Sequence, residues 1–197
     1  MKNALIIFVR NPVLGKVKTR LASCVGDTKA LKVYELLLQH TQSITKPLFV
    51  EKFVYYADYL NAGDLWNGFE KRLQQGNDLG ERMQNAFQDL YTAGFSKVII
   101  IGSDCYELSS EIITQAFEKL NEADLVIGPV TDGGYYLLGS DKMIPELFAN
   151  KTWSTDTVFA ATLKDAAALN LSVNQLPVLN DIDTEKDLHS SPLAFFV

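Results

Sequence analysis

Four cations in one short loop, and acids at three later turns, are the residues of this sequence best suited to chemistry. Arg10, Lys16, Lys18 and Arg20 fall within eleven residues that contain no acid, "RNPVLGKVKTR". Phosphate oxygens are natural partners for such a set, since a guanidinium grips them bidentately and an ammonium acts as a point charge. Gly15 permits a turn and a close backbone approach. If the loop is extended, Lys16, Lys18 and Arg20 alternate onto one side. The competing reading is a solvated loop neutralised by nearby acids. The spacing is not that of a P-loop, which would place Gly at position 10 and a hydroxyl residue at 17, where the chain has Arg10 and Val17.

The acids come later. Asp104 follows Gly102-Ser103 at the end of an apolar run. A carboxylate there suits Mg²⁺ or Mn²⁺, and equally suits a turn or a helix cap. Asp132 precedes Gly133-Gly134 in "TDGGYYLLG". It could ligate a metal, accept a hydrogen bond from a hydroxyl, or simply make an Asp-Gly turn. In "NDIDTEKDL", Asp181 and Asp183 share one side of an extended segment and would complete a divalent-ion site with Asp104, while Asp183 or Thr184 caps a following helix. Cys105 lacks an evident histidine partner and reads as inert packing. In "QQGNDLGERM", the loop before Leu79 could touch a base or a sugar.

These residues need a frame, and the hydropathy pattern supplies one. Ala4–Val9 is an uninterrupted apolar run, as in a strand buried on both faces. Further strands are expected at Phe49–Tyr56, Val98–Ile101, Leu125–Ile127, Tyr135–Leu138 and Ser172–Leu176. Helices are expected from Asp27 or Thr28 to about Thr41, over Leu79–Ala93, from Ser109 or Ser110 to Ala123, and over Thr155–Leu169. Such alternation predicts an α/β fold with a mostly parallel sheet covered on both faces. Ligands then sit beyond the carboxyl ends of the strands, where the basic loop, Asp104 and the Asp132 turn would face one another.

The bulk composition narrows the partner. The chain has 197 residues, 18 Lys and Arg against 24 Asp and Glu, and a formal charge of -6. That length fits one domain, residues 1–197, without an internal repeat or linker. An acidic chain argues against nucleic acid and against an anionic membrane, so the local cations must serve something small. Cys24 and Cys105 form no CxxC, and the N-terminal apolar run is too short for a signal peptide or a span, which predicts a cytoplasmic protein. Only His40 and His189 are present, so a multi-histidine metal site is not expected.

In order, "NPVLGKVKTRLA", "GNDLGERM", "IIIGSDCYEL", "GPVTDGGYYLLG", "WSTDTV" and "NDIDTEKDL" resemble a bacterial family of small GT-A-fold proteins. The family is labelled glycosyltransferase A or DUF2064, within the nucleotide-diphospho-sugar transferase superfamily, which also contains nucleotidyltransferases. The resemblance spans nearly the whole chain. It implies a single-domain, Rossmann-like GT-A fold of three α/β/α layers with a mostly parallel mixed sheet. It places Arg10, Gly15, Lys16, Lys18 and Arg20 at nucleotide phosphates. It makes Asp104 a ligand of Mg²⁺ or Mn²⁺, with Asp181 or Asp183 supplying the far ligand, and Asp104 and Asp132 the catalytic residues, Asp132 orienting the acceptor or serving as base. Gly133, Gly134, Tyr135 and Trp153 would line the sugar or acceptor pocket. The implied activity is glycosyl transfer from a nucleotide-sugar donor to a small acceptor. The alternatives are nucleotidyl transfer with pyrophosphate release, and nucleotide binding without turnover. The chain departs from the family pattern at Cys105-Tyr106, where a small residue and a proline usually follow GSD, so a differently shaped loop is expected there.

Overall fold

The computed structural model describes residues 2–196. Strand β1 (Asn3–Val9) leads through the basic loop into a short helix α1 (Thr19–Val25) and the long α2 (Asp27–Thr45). Then come β2 (Glu51–Tyr56), β3 (Glu70–Leu73), α3 (Leu79–Thr92), β4 (Lys97–Ile101) and α4 (Ser110–Lys119). The last part holds β5 (Leu125–Pro129), β6 (Tyr135–Ser140), α5 (Val158–Ala168), β7 (Val173–Gln175) and α6 (Glu185–Ser190). None of the described helices is long and apolar enough to cross a membrane.

The seven strands form one sheet in the order β3-β2-β1-β4-β6-β5-β7. All neighbours pair in parallel except β6, which runs antiparallel to both β4 and β5. Alternation along β1 divides the core. Leu5, Ile7 and Val9 pack with Tyr34 and Leu38 of α2 and Ile113, Ala116 and Phe117 of α4. Ala4 and Ile6 face the other way, toward Met83, Ala86, Phe87 and Leu90 of α3 and Ala166 of α5. Three layers follow from this two-residue period. Helices α1, α2 and α6 share a smaller cluster around Leu21, Val33, Leu37 and Leu188.

The order places the topological switch between β1 and β4. The chain leaves β1 toward β2 and β3 and returns on the other side, so a crevice opens at the carboxyl ends of β1 and β4. Because β6 is antiparallel, the turn between β5 and β6 lies at that same end.

Two expectations are corrected by the structure, and one strand is added. The basic loop is not extended: Lys16 N–H donates to the Val13 carbonyl at 3.0 Å, Gly15 sits at φ 73°, and α1 starts at Thr19. Strand β3 went unpredicted because Glu-Lys-Arg-Leu at a sheet edge has no apolar face. Helix α5 begins at Val158 rather than at Thr155, since residues 153–157 form turns.

Candidate active site at the carboxyl edge of the sheet

Asp104 leaves β4 two residues after Gly102 and is met by the C-terminal segment. Leu179 bridges to Val130 in parallel, carrying the chain past the end of β5. Ile182 N–H then donates to the Asp104 carbonyl at 2.9 Å. This backbone bond brings the stretch from Asp181 to Asp183 alongside Asp104. Helix α6 fixes the far end. Thr184 accepts from the Asp187 N–H and donates back to its carboxylate, and the Asp183 N–H donates to Asp187 as well. That is a capping box, as one of the two expected caps required. Asn180 is tied down on both sides, taking a hydrogen bond from the Thr131 hydroxyl at 2.7 Å and donating its N–H to Glu107 at 2.9 Å. Asn180 and Glu107 lie within the segments "NDIDTEKDL" and "IIIGSDCYEL", but neither residue type nor spacing singles them out.

The basic loop closes the other side. The Tyr34 hydroxyl accepts from the Arg10 N–H at 2.8 Å and lies 3.3 Å from the Ser103 hydroxyl, joining the exits of β1 and β4. Burial, the Asp104 charge next, pushes the Tyr34 phenol up to about 12, so it stays neutral and serves as a hydrogen-bonding post. Tyr34 reads in the sequence as one more apolar-stripe residue of α2, which hides this role.

Lys18 is the centre of the arrangement. Its ammonium lies 2.7 Å from Asp104 Oδ1 and 2.9 Å from Asp183 Oδ1, and its side chain is only 4% exposed. Arg20 pairs with the other oxygen of Asp183 and is 70% exposed. Burial alone would lower the Lys18 pKa, but Asp104 and Asp183 outweigh it and the ammonium is held charged. Burial alone would raise Asp183, but Lys18, then Arg20 and Arg10, hold its carboxyl below the usual range. The four loop cations therefore do not share one face. Lys18 points inward, while Arg10, Lys16 and Arg20 are exposed.

Asp181 is the opposite case. Its Oδ1 is buried and has no hydrogen-bond partner. Burial first, then the charges of Asp104, Asp183 and Asp132 against the opposing pull of Lys18, raise its carboxyl to about 8. Asp104 Oδ1 is likewise buried without an aligned donor, because Lys18 approaches closely but off the hydrogen-bond direction. Two unmatched carboxylate oxygens beside a tethered cation make a donor set that suits a hard divalent ion. Among the described residues, no three carboxylates stand close enough together to hold an ion as they are. Cys105 is buried, and burial pushes its thiol up to about 12, in line with inert packing.

Asp132 makes the turn that is one of its sequence readings. Asp132 Oδ1 accepts from the Gly134 N–H at 3.0 Å, an Asx turn, and the residue remains exposed. Gly133, at φ 90°, meets protein rather than open space. A Cβ there would stand 2.6 Å from the Asp156 carbonyl carbon, and the Gly133 carbonyl accepts from the Phe159 N–H at 2.9 Å. The glycine's freedom is thus used to seat the 150–157 segment. The Tyr135 ring packs among the α3 layer, with its hydroxyl 3.9 Å from the Met83 sulfur. Tyr136 is buried with its hydroxyl on the Pro177 carbonyl at 3.1 Å. Trp153 is half-buried and lies over Gly80, where a Cβ would come within 2.6 Å of the Phe148 carbonyl oxygen and against the indole. In the loop before α3, Asp78 caps the helix through the Glu81 N–H and Arg82 bonds the Gly76 carbonyl, so both are engaged locally.

A sheet of this order, with a crevice at its switch point, is the fold of nucleotide-diphospho-sugar transferases. Residues 39–155 match the DUF2064 family, described as an uncharacterized protein conserved in bacteria. A Desulfovibrio desulfuricans protein, provisionally designated a nucleotide-diphospho-sugar transferase, is 35% identical, with a TM-score of 0.88 over 95% of this chain and 85% of that one. The chain belongs to the DUF2064 family. The manganese complex of Rv0371C from Mycobacterium tuberculosis is 11% identical, with a TM-score of 0.60 over 96% of this chain and 97% of that one. CMP:2-keto-3-deoxy-manno-octonic acid synthetase complexed with CTP is 9% identical, with a TM-score of 0.62 over the whole of both chains. At such identities these two share the fold alone. No curated protein matches the chain in a sequence search.

Proposed function

We propose that this protein is a transferase that binds a nucleotide-diphosphate sugar at the β1–β4 crevice and passes the glycosyl group to a small acceptor. One observation carries the reading: Lys18 and Arg20 of the basic loop meet the carboxylates Asp104 and Asp183, with Asp181 beside them, at the switch point of the sheet. Arg10, Gly15, Lys16, Lys18 and Arg20 would hold the diphosphate. Asp104, Asp181 and Asp183 would hold Mg²⁺ or Mn²⁺, which when bound neutralises charge on the departing phosphate. Asp132, exposed on its turn, would orient the acceptor hydroxyl or take its proton. Gly133 and Gly134 shape that turn, and Trp153 would line the acceptor pocket. The chemistry belongs in the cytoplasm, where Cys24 and Cys105 remain thiols.

The family resemblance favours a nucleotide-sugar donor, whose diphosphate one divalent ion and one or two cations would neutralise. The cations of the loop, counted alone, favour a triphosphate and keep nucleotidyl transfer as the second reading. The test is a melting-shift series of nucleoside mono-, di- and triphosphates and sugar diphosphates of each base, with Mn²⁺. The expected result is that a diphosphate or sugar diphosphate stabilises at least as well as its triphosphate. A shift with triphosphates alone, together with pyrophosphate release on adding phosphorylated acceptors, would establish nucleotidyl transfer instead.

A further inference from the structure

The Lys18 ammonium occupies the point between Asp104 and Asp183 that an ion bridging those carboxylates would need. It is 2.7 Å from one and 2.9 Å from the other. We propose that Lys18 is a tethered cation that closes the Asp104–Asp183 pair in the ligand-free protein, and that it withdraws onto the donor's phosphates when a divalent ion is taken. The inference rests on the transferase reading of the crevice and adds a rule to it: ion and nucleotide bind together, because the ion's ligands are released by a side chain that the nucleotide draws away.

Three features of the pair support an exchange rather than a permanent bond. The first is the asymmetry at Asp183. Its Oδ2 is held by Arg20, so its Oδ1 can change partners without the carboxylate losing its place. The second is the poor alignment at Asp104. Lys18 neutralises Asp104 Oδ1 without satisfying it as an acceptor, and the neighbouring Asp181 Oδ1 has no partner at all. A hard ion in this position would meet oxygens that the ammonium leaves unmatched. The third is the backbone of Lys18, at φ 49° and ψ 43° as the residue before α1. A non-glycine residue in the left-handed region is held there by its surroundings. Here the carboxylates give the reason, since this conformation brings the side chain into the crevice. Without such a cation, the partly exposed Asp104 would face Asp183 and the buried Asp181 with only Arg20 to offset their charge. Lys18 thus keeps the ligand-free crevice intact and also keeps free ions out of it.

The test uses Mn²⁺ alone, with no nucleotide, titrated into full-length wild type, Lys18→Met, Lys18→Gln and Lys18→Arg. Free Mn²⁺ is read by electron paramagnetic resonance, and folding by circular dichroism. The expected result is weak binding to wild type and to Lys18→Arg, and at least tenfold tighter binding to the two uncharged variants. Unchanged or weaker binding to folded Lys18→Met and Lys18→Gln would overturn the inference. If the uncharged variants do not fold, crystals of wild type with Mn²⁺ and a nucleoside diphosphate decide. Mn²⁺ at Asp104 and Asp183 with the Lys18 ammonium gone from both supports the inference, and Mn²⁺ elsewhere or with the ion pair intact overturns it. The transferase reading fails by a different result: no nucleotide or nucleotide sugar binds wild type, with or without Mn²⁺.

Discussion

Gly133→Ala separates two uses of one glycine. At φ 90°, an alanine strains the backbone by about 1–2 kcal/mol. Its methyl would also stand 2.6 Å from the Asp156 carbonyl carbon and 2.7 Å from the Asp156 Cα. Backbone cannot rotate aside as a side-chain tip can, so overpacking adds about 1–3 kcal/mol. Moving the two segments apart also weakens the bond from the Phe159 N–H to the Gly133 carbonyl, 2.9 Å long. The total is about 2–5 kcal/mol, which for a chain of this size lowers Tm by about 4–20 °C. Gly134→Ala is the control. It has no positive φ, and its methyl would meet only the ends of Asp132 and Val130 at 3.3 Å, so it should cost less than about 1 kcal/mol. Thermal and urea unfolding of the three proteins give the comparison. A Gly133→Ala protein as stable as wild type, yet unable to bind nucleotide, would refute the reasoning and return the glycine to the ligand-approach role that its sequence suggests.

Other expectations follow from the same geometry. Arg20→Ala should leave stability within about 0.5 kcal/mol, since Arg20 is 70% exposed, yet weaken nucleotide binding about tenfold or more through one lost charge-assisted contact; unchanged affinity by calorimetry would remove Arg20 from the phosphate site. His40 is held below its usual range by burial, against the Leu108 carbonyl that its ring bonds at 2.9 Å. The unfolded chain therefore takes up the proton more readily, and stability is lost as pH falls below about 6.5. Urea midpoints between pH 7.5 and pH 5 should fall more steeply for wild type than for His40→Gln, and parallel profiles would contradict this.

What the sequence reveals and what it hides follow one physical division. Strands β1, β4 and β5 are legible because both faces are buried, so their apolar runs are uninterrupted. Helix α3 is legible through Met83, Ala86, Phe87 and Leu90 at helical spacing, and α6 through its cap. The gathering of three loops at one edge follows from strand-helix alternation, with β6 supplying the single reversal. Edge strand β3 and helix α1 carry no such pattern, because each meets the core through few side chains. Partner choice is the harder matter. Lys18 and Asp183 are 165 residues apart, and no local spacing tells a lysine aimed at phosphate from one seated between carboxylates. The same holds for Gly133 against Asp156 and for Tyr135 against Met83. Each residue type was informative, but its contact depends on a distant segment that only the folded chain brings near.

The central claim is that Asp104 and the loop cations bind a nucleotide's phosphates together with a divalent ion. Its most direct measurement is calorimetric titration of the tightest-binding nucleoside diphosphate into wild type and Asp104→Asn, each with and without Mn²⁺. Asp104 is partly exposed and sits at a loop, so the Asn variant should fold. The account predicts that Mn²⁺ tightens binding to wild type by at least tenfold, about 1.4 kcal/mol, and has no effect on the variant. Equal enhancement by Mn²⁺ in both proteins would contradict it and leave Asp104 as an ion-pair partner of Lys18 alone.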